Sequence, residues 1–275
     1  MKFMILTLIL FFSGFASVFS SDTIPASKSP QEEQKQADRY FIRGGIGAQG
    51  MLSIFYPTDV NAYTKDLYSA IKRKYSGYDS GHEPKEMHWG YGYTLKADIR
   101  VFNLLQLEPY WDHFYAFPLE VMFDEAPGGQ FGHYAIQATY TFKMSYNEKG
   151  VSLLWLPGSK QKNIFLTVGG GFGVLQGEFT ESVTGYERVT GTKTSLDDTR
   201  TFKGTTNAWH GTVGLTFVPW HYLELELMLN GKYAMIKTLQ DDAGVLFTNP
   251  YSNDETISLN FSGVDLRVGF KFMFP

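Results

Sequence analysis

The chain has 275 residues, with 24 Lys and Arg against 28 Asp and Glu, a formal net charge of −4 and no cysteine. That balance gives no basic footprint for nucleic acid, and the lack of thiols excludes both a disulfide scaffold and a lipid-anchored lipoprotein. Beyond the N-terminus no apolar run reaches the roughly eighteen residues of a membrane-spanning helix, so none is expected.

The first segment is a leader. Lys2 supplies a positive start, Phe3 to Phe12 form an apolar run broken only by Thr7, and Val18 and Ser20 suit a cleavage site. Residues 1–20 therefore read as a secretory signal peptide. Residues 21–39 are polar, with two prolines and few anchors, and are expected to be a disordered periplasmic tail.

From residue 40 to residue 275 the apolar period is two, the signature of strands. Eight are expected in turn: near Tyr40–Ile54, Met87–Phe102, Leu105–Asp124, Phe131–Ser145, Asn163–Phe179, Phe202–Phe217, Tyr222–Lys237 and Ile257–Phe274. The seventh is the clearest, with Leu223, Leu225, Leu227 and Leu229 against Glu224, Glu226, Asn230 and Lys232. In the eighth the parity slips between Phe261 and Val264, which predicts a bulge near Gly263. Aromatics are abundant (Phe 23, Tyr 17, Trp 5). Those near strand ends, Tyr40, Phe41, Phe102, Trp220, Tyr222, Phe272 and Phe274 at one end and Phe55, Tyr56, Trp89, Phe131, Phe172 and Phe202 at the other, are expected to form two girdles.

The connections alternate in length. Some are long (about thirty residues after the first strand, then Thr180–Thr201 and Thr238–Thr256) and others are tight, which is the asymmetry of barrels that cross an outer membrane. Asn147–Lys162 departs from this rule and leaves the strand count at eight to ten. Within the first long loop, Val60, Tyr63, Leu67, Ile71 and Tyr75 fall on one helical face behind Asp59 as N-cap, which predicts a short helix on the barrel mouth or on the leaflet. The fold class is thus all-β: a closed antiparallel up-and-down transmembrane barrel with its apolar face turned to lipid.

With its signal peptide, alternating segments, loop asymmetry and closing "VGFKFMF", the chain resembles small bacterial outer-membrane β-barrels of the OmpW, OmpX and OmpA-barrel kind over Tyr40 to Phe274. That resemblance implies a bacterial outer-membrane location, reached through the cleaved leader. It also implies a terminal strand read by the barrel-assembly machinery, with Phe270, Phe272 and Phe274 as the signal; here Pro275 follows the terminal aromatic. The lipid partners implied are outer-membrane lipid and lipopolysaccharide.

Parity assigns Arg43, Lys96, Arg100, Lys143, Lys232, Arg267 and Lys271 to the lumen, against Asp98, Glu108, Asp112, Glu120, Asp124, Glu224, Glu226 and Asp265. An eight-stranded barrel has room for side chains or one small ligand. Near-balanced charge in that space is expected to pair off and plug it.

Other motifs carry less. Gly45-Ile46-Gly47-Ala48-Gln49-Gly50 matches G-x-G-x-x-G, but no helix pattern follows, so it reads as strand and not as a dinucleotide site. His210-Gly211-Thr212 with Glu224 resembles the His-x-Ser plus Glu set of outer-membrane lipid A deacylases, with Thr212 in place of serine. The turn near Pro219 would set His210 opposite about Leu229, roughly 16 Å along the strands from Glu224, too far for a relay. His82, Glu83, Glu86 and His88 could hold a metal; the cluster reads as surface loop, and neither metal nor cofactor is expected. The function expected is a non-enzymatic integral outer-membrane protein with a plugged lumen, serving envelope structure or binding an extracellular ligand through its loops. The alternatives are a narrow porin for small solutes and a lipid A-modifying enzyme.

Overall fold

The computed structural model describes residues 42–274 apart from 75–82, 103, 124–133, 158–162 and 190–191. The leader and tail expectations for residues 1–39, together with Tyr40, Phe41, Tyr75, His82, Asp124 and Phe131, lie outside the described residues. The elements in chain order are β1 (Ile42–Phe55), α1 (Thr58–Lys74), β2 (Trp89–Val101), β3 (Leu105–Ala116), β4 (Leu119–Phe123), β5 (Tyr134–Trp155), β6 (Ile164–Val189), β7 (Thr192–Ser195), β8 (Asp198–Trp220), β9 (Leu223–Tyr233), β10 (Met235–Ile236), β11 (Thr248–Asn249), β12 (Glu255–Thr256), β13 (Leu259–Asn260) and β14 (Gly263–Phe274).

The sheet closes on itself. Antiparallel pairing runs β5-β3-β2-β1-β14-β9-β8-β6, and β6 pairs back to β5, giving a ring of eight strands. Directly opposed residues can be followed once around it: Ile42, Val101, Leu105, Trp155, Val168, Val213, Leu229, Leu266 and then Leu52. The walk returns to β1 ten residues further along (Ile42 to Leu52). That stagger tilts the strands by about 40° from the barrel axis, within the usual range for small barrels.

Three strands exceed their predicted lengths. β5 has 22 residues, β6 has 26 and β8 has 23, where a tilted strand needs about 9–11 to cross a bilayer. Asn147-Glu148-Lys149-Gly150 looks like a turn in sequence but is mid-strand in β5. Glu148 turns inward, while Asn147 stays on the opposite face and bonds His113. The connection to β6 is therefore 156–163, and the count stays at eight. The expected loop Thr180–Thr201 is likewise a hairpin extension, with Glu181 opposite Arg200 and Val183 opposite Asp198.

The loop end has its own core. Phe55, Phe114, Phe142, Tyr146, Phe179 and Phe261 fill the interior there, closed by Val60, Tyr63, Leu67 and Ile71 of α1. Phe55 and Phe202 are thus core residues and not girdle residues. The apparent parity slip at Gly263 has the same cause. Register is unbroken from Lys232↔Gly263 to Met235↔Asn260, and Leu259, Phe261 and Asp265 all face inward. What changes at this level is the lining, from charged to apolar. The irregularity in this wall lies instead between Phe217 and Trp220.

α1 is tied down on several sides. Asp59, placed in the first turn, accepts from the Ser258 backbone N–H at 3.1 Å. The Asn61 side chain bonds both the N–H and the carbonyl of Met87. Asn249 donates to Asp66 at 2.8 Å, and Tyr63 donates to Glu181 at 2.9 Å. Burial beside the Glu181 carboxylate pushes the Tyr63 phenol well above its ordinary range and keeps it a donor.

Leu67→Asp places an unpaired charge in this core and is expected to cost about 3 kcal/mol or more locally. Trypsin should then cut after Lys72, Arg73 or Lys74 while the barrel keeps its heat-modifiable migration. Resistance equal to the unmodified protein would show that α1 does not depend on this packing.

Candidate functional site

The wall has opposite faces of opposite chemistry. Every residue of the walk from Ile42 to Leu52 is apolar, and Ile42, Leu105, Trp155, Val213, Leu229 and Leu266 are exposed. The walk one residue on, Arg43, Arg100, Gln106, Leu154, Gly169, Thr212, Asn230, Asp265 and Ser53, is mostly polar and faces inward. An exterior belt of exposed leucine, isoleucine and tryptophan around a charged interior suits lipid outside and no other solvent. The fold is that of an outer-membrane β-barrel.

Among the described residues the lumen of this barrel holds five buried cations, Lys96, Arg100, Lys232, Arg267 and Lys271, and seven buried carboxylates, Asp98, Glu108, Asp112, Glu148, Glu224, Glu226 and Asp265. They form two connected clusters. Toward the turn end, Arg100 grips Glu224 with two bonds of 2.7 Å. Lys271 reaches Glu226 at 2.8 Å, Asp98 at 3.1 Å and Glu224 at 3.4 Å. Lys96 bridges Glu226 at 2.6 Å and Glu108 at 2.9 Å. Gln106 ties the group together, donating to Asp98 and Glu108 and accepting from Arg100 and Lys271.

Nearer the loop end, Arg267 pairs with Asp112 at 2.7 Å and Asp265 at 3.0 Å. Lys232 pairs with Glu148 at 2.8 Å and lies 4.3 Å from the centre of the Tyr146 ring. Ser53 and Asn230 donate to Asp265, and Tyr110 donates to Glu148. Most of these charges project from β2, β3, β9 and β14. The facing side of β6 is glycine: a Cβ at Gly171 would meet the His210 ring at 2.8 Å, and one at Gly173 the Tyr110 hydroxyl at 2.8 Å. The glycine-rich run in β6 thus makes room for lumen-facing side chains of nearby strands, His210 from the adjacent β8 and Tyr110 from β3 two strands away.

Two of the lumen assignments are corrected. Lys143 and Glu120 are exposed on the outer face. Both lie beyond the bilayer-height belt, where the interior is apolar, so β5 turns Ile136, Ala138, Phe142 and Met144 inward and its charge outward. For Glu120 there is a second cause. Across Phe117-Pro118 the pairing with β5 shifts by one residue, from Tyr115↔Ser145 to Leu119↔Phe142, and this turns Leu119 and Val121 inward. Arg43 is on the inward face but only half-buried at the turn end, where it donates to the His221 carbonyl at 2.7 Å. Phe270, Phe272 and Phe274 all stand exposed on the lipid face.

Sequence reasoning missed Glu148, Gln106, Tyr110 and Tyr146. Glu148 was hidden in a false turn, and the others are uncharged or aromatic residues on strands judged by their charges alone.

The deacylase-like set does not assemble. The turn lies at His221–Tyr222 and not near Pro219, which sets His210 opposite Lys232, not Leu229. Thr212 donates to Asn230 at 2.7 Å, and Glu224 is held by Arg100 and Lys271. His210 instead contacts Ser152 at 3.0 Å, beside a void of about 20 Å³ lined by Lys96, Glu108 and Arg267. A serine–histidine contact with no room for a substrate has no hydrolytic use, and one water molecule fits such a space. At the first long loop, Glu86 binds Lys65 at 2.6 Å and His88 at 2.7 Å. The Lys65 ammonium holds Glu86 below the usual carboxylate range. Among the described residues no group of three metal-ligating side chains converges.

No protein-family model matches the chain, and none of the curated proteins searched matches it. Solved structures similar to it include Ail, the attachment invasion locus protein of Yersinia pestis, at 11% identity over 84% of this chain and 98% of that one, with a TM-score of 0.38. Neisserial surface protein A is 11% identical over 83% and 96%, with a TM-score of 0.42. A major outer membrane protein from Thermus thermophilus is 12% identical over 84% and 99%, with a TM-score of 0.41.

A double-mutant cycle tests the network. Arg100→Met alone leaves Glu224 with only the 3.4 Å contact to Lys271 and is expected to cost up to about 3–5 kcal/mol, while adding Glu224→Leu should recover most of that loss. Urea unfolding in lipid vesicles reads both. Additive losses would mean that the pair is not coupled.

Proposed function

We propose that the protein is a non-enzymatic integral outer-membrane barrel, closed to solutes, whose loop-end superstructure serves the envelope surface. The short connection from β2 to β3 and the tight turn at His221–Tyr222 would face the periplasm, and α1 with the extended β5, β6 and β8 would face the exterior. The observation that carries this reading is the double filling of the lumen. At membrane height, charged side chains from strands three apart in the ring meet across the lumen in bonds of 2.6–2.8 Å. Above them lies an apolar core under α1. Opening a path would mean separating several buried ion pairs at once, each costing several kcal/mol. A non-catalytic role draws support from Thr212 and Glu224 being engaged elsewhere and from the closed surroundings of Ser152.

In planar bilayers the purified, refolded protein is expected to give no steady single-channel steps. Regular steps would assign it instead to the narrow porins. Lipid A from cells with and without the protein should have the same mass profile; a lost or gained acyl group would restore the enzymatic reading.

A further inference from the structure

We propose that the free edge of β4, with the groove beside it, takes up an extended polypeptide segment as an added strand. Among the described residues β4 pairs on one side only, with β5. Toward β2 the last bond of the wall runs from the Phe117 N–H to the Trp89 carbonyl at 2.9 Å. Beyond that bond residues 83–88 leave the sheet. The Asn61 side chain of α1 takes both the N–H and the carbonyl of Met87, and the Phe55 N–H donates to the His88 carbonyl at 3.0 Å. This stretch is thus turned toward α1 and β1, away from β4. Between the two lies a groove of about 530 Å³ with Met87, Trp89, Phe117, Pro118, Leu119 and Met122 in its lining. Trp89, Phe117 and Met122 are exposed.

The occupant follows from what this edge offers. Alternate backbone N–H and carbonyl groups of an edge strand point away from its one partner, unpaired. An extended peptide matches such a row, and its apolar side chains at every second place would cover the rings and methionine of the groove. Charge does not choose the partner. Glu83, Lys85 and Glu120 line the groove, Glu86 is held by Lys65 and His88, and Lys143 follows Phe142, the residue opposite Leu119. A second copy of the chain in the same membrane does not fit. The two-fold axis would run along the membrane normal, and strands tilted by about 40° would then cross at about 80° instead of lying side by side. β7 is also an edge strand, but its four residues are polar and exposed and give an added strand nothing apolar to cover. The proposal names the partner class of the surface role given above and rests on the loop end facing outward.

Fluorescence anisotropy of the refolded full chain in tetraethylene glycol monooctyl ether micelles tests this. The probe is a labelled, acetylated peptide of about seven residues alternating valine with lysine, enough to span the five residues of β4. Its counterpart with every amide N-methylated keeps the side chains and charges and loses the donors. The unmethylated peptide should bind at least about tenfold more tightly. The chain has no cysteine, so the place can be read by thiol capture. The same peptide carrying a thiopyridyl disulfide should trap Met122→Cys at least about tenfold faster than Lys193→Cys on β7, with heat-modifiable migration unchanged in both. Equal binding of the two peptides, or equal trapping at the two positions, overturns the proposal. Micelles leave both ends of the barrel open to peptide, so orientation is tested apart. An impermeant maleimide should label Lys85→Cys on intact cells, and no labelling would overturn the outward reading alone.

Discussion

Burial of charge inside a wall that faces lipid governs this structure. A strand in the bilayer has two faces, and only one can be greasy without wasting the other on an empty bore. Here the second face carries Asp, Glu, Lys and Arg, and an eight-stranded ring is narrow enough that they must meet. Unpaired, each would be costly; paired as Arg100–Glu224 and Arg267–Asp112 are, they brace opposite sides of the ring. The inner glycines of β6 follow from the same crowding, since His210, Tyr110 and Glu148 of nearby strands occupy the space a Cβ there would need.

Only part of the barrel obeys that constraint. Beyond the lipid the outer face meets water, and the interior returns to the arrangement of a soluble protein. Phe142, Leu175 and Phe179 turn inward and α1 lies over them. One β-strand therefore serves two solvents. β5 carries Glu148 inward at bilayer height and Phe142 inward above it, with no break in the alternation.

This explains what could be read from the residues alone. Alternation located all eight strands, and Leu223 to Lys232 showed both faces without ambiguity. The helical spacing of Val60, Tyr63, Leu67 and Ile71 marked α1 as amphipathic. What alternation cannot say is which face is inside, because apolar residues point to lipid in one half and to the core in the other. Lys143 and Glu120 were misplaced for that reason, and Gly263 was given a bulge in a strand of constant register. Local chemistry misled elsewhere. Asn147 to Gly150 has the composition of a turn, yet Glu148 is held by Lys232, some eighty residues away in the chain. Such a partner is visible only once the ring is closed.

The order in which those partners arrive has a kinetic consequence. Arg100 and Glu224 are 124 positions apart, and Asp112 and Arg267 are 155 apart. The β5–β6–β8 ladder can zip by hairpin growth, but β14 must find β1 across nearly the whole folded chain. Until that seam forms, Asp98 of β2 and Asp112 of β3 lack the lysine and arginine of the last strand. Insertion before closure would expose them to hydrocarbon, so the electrostatics favour a late, concerted entry in which the nascent sheet curls first and commits to the membrane afterwards.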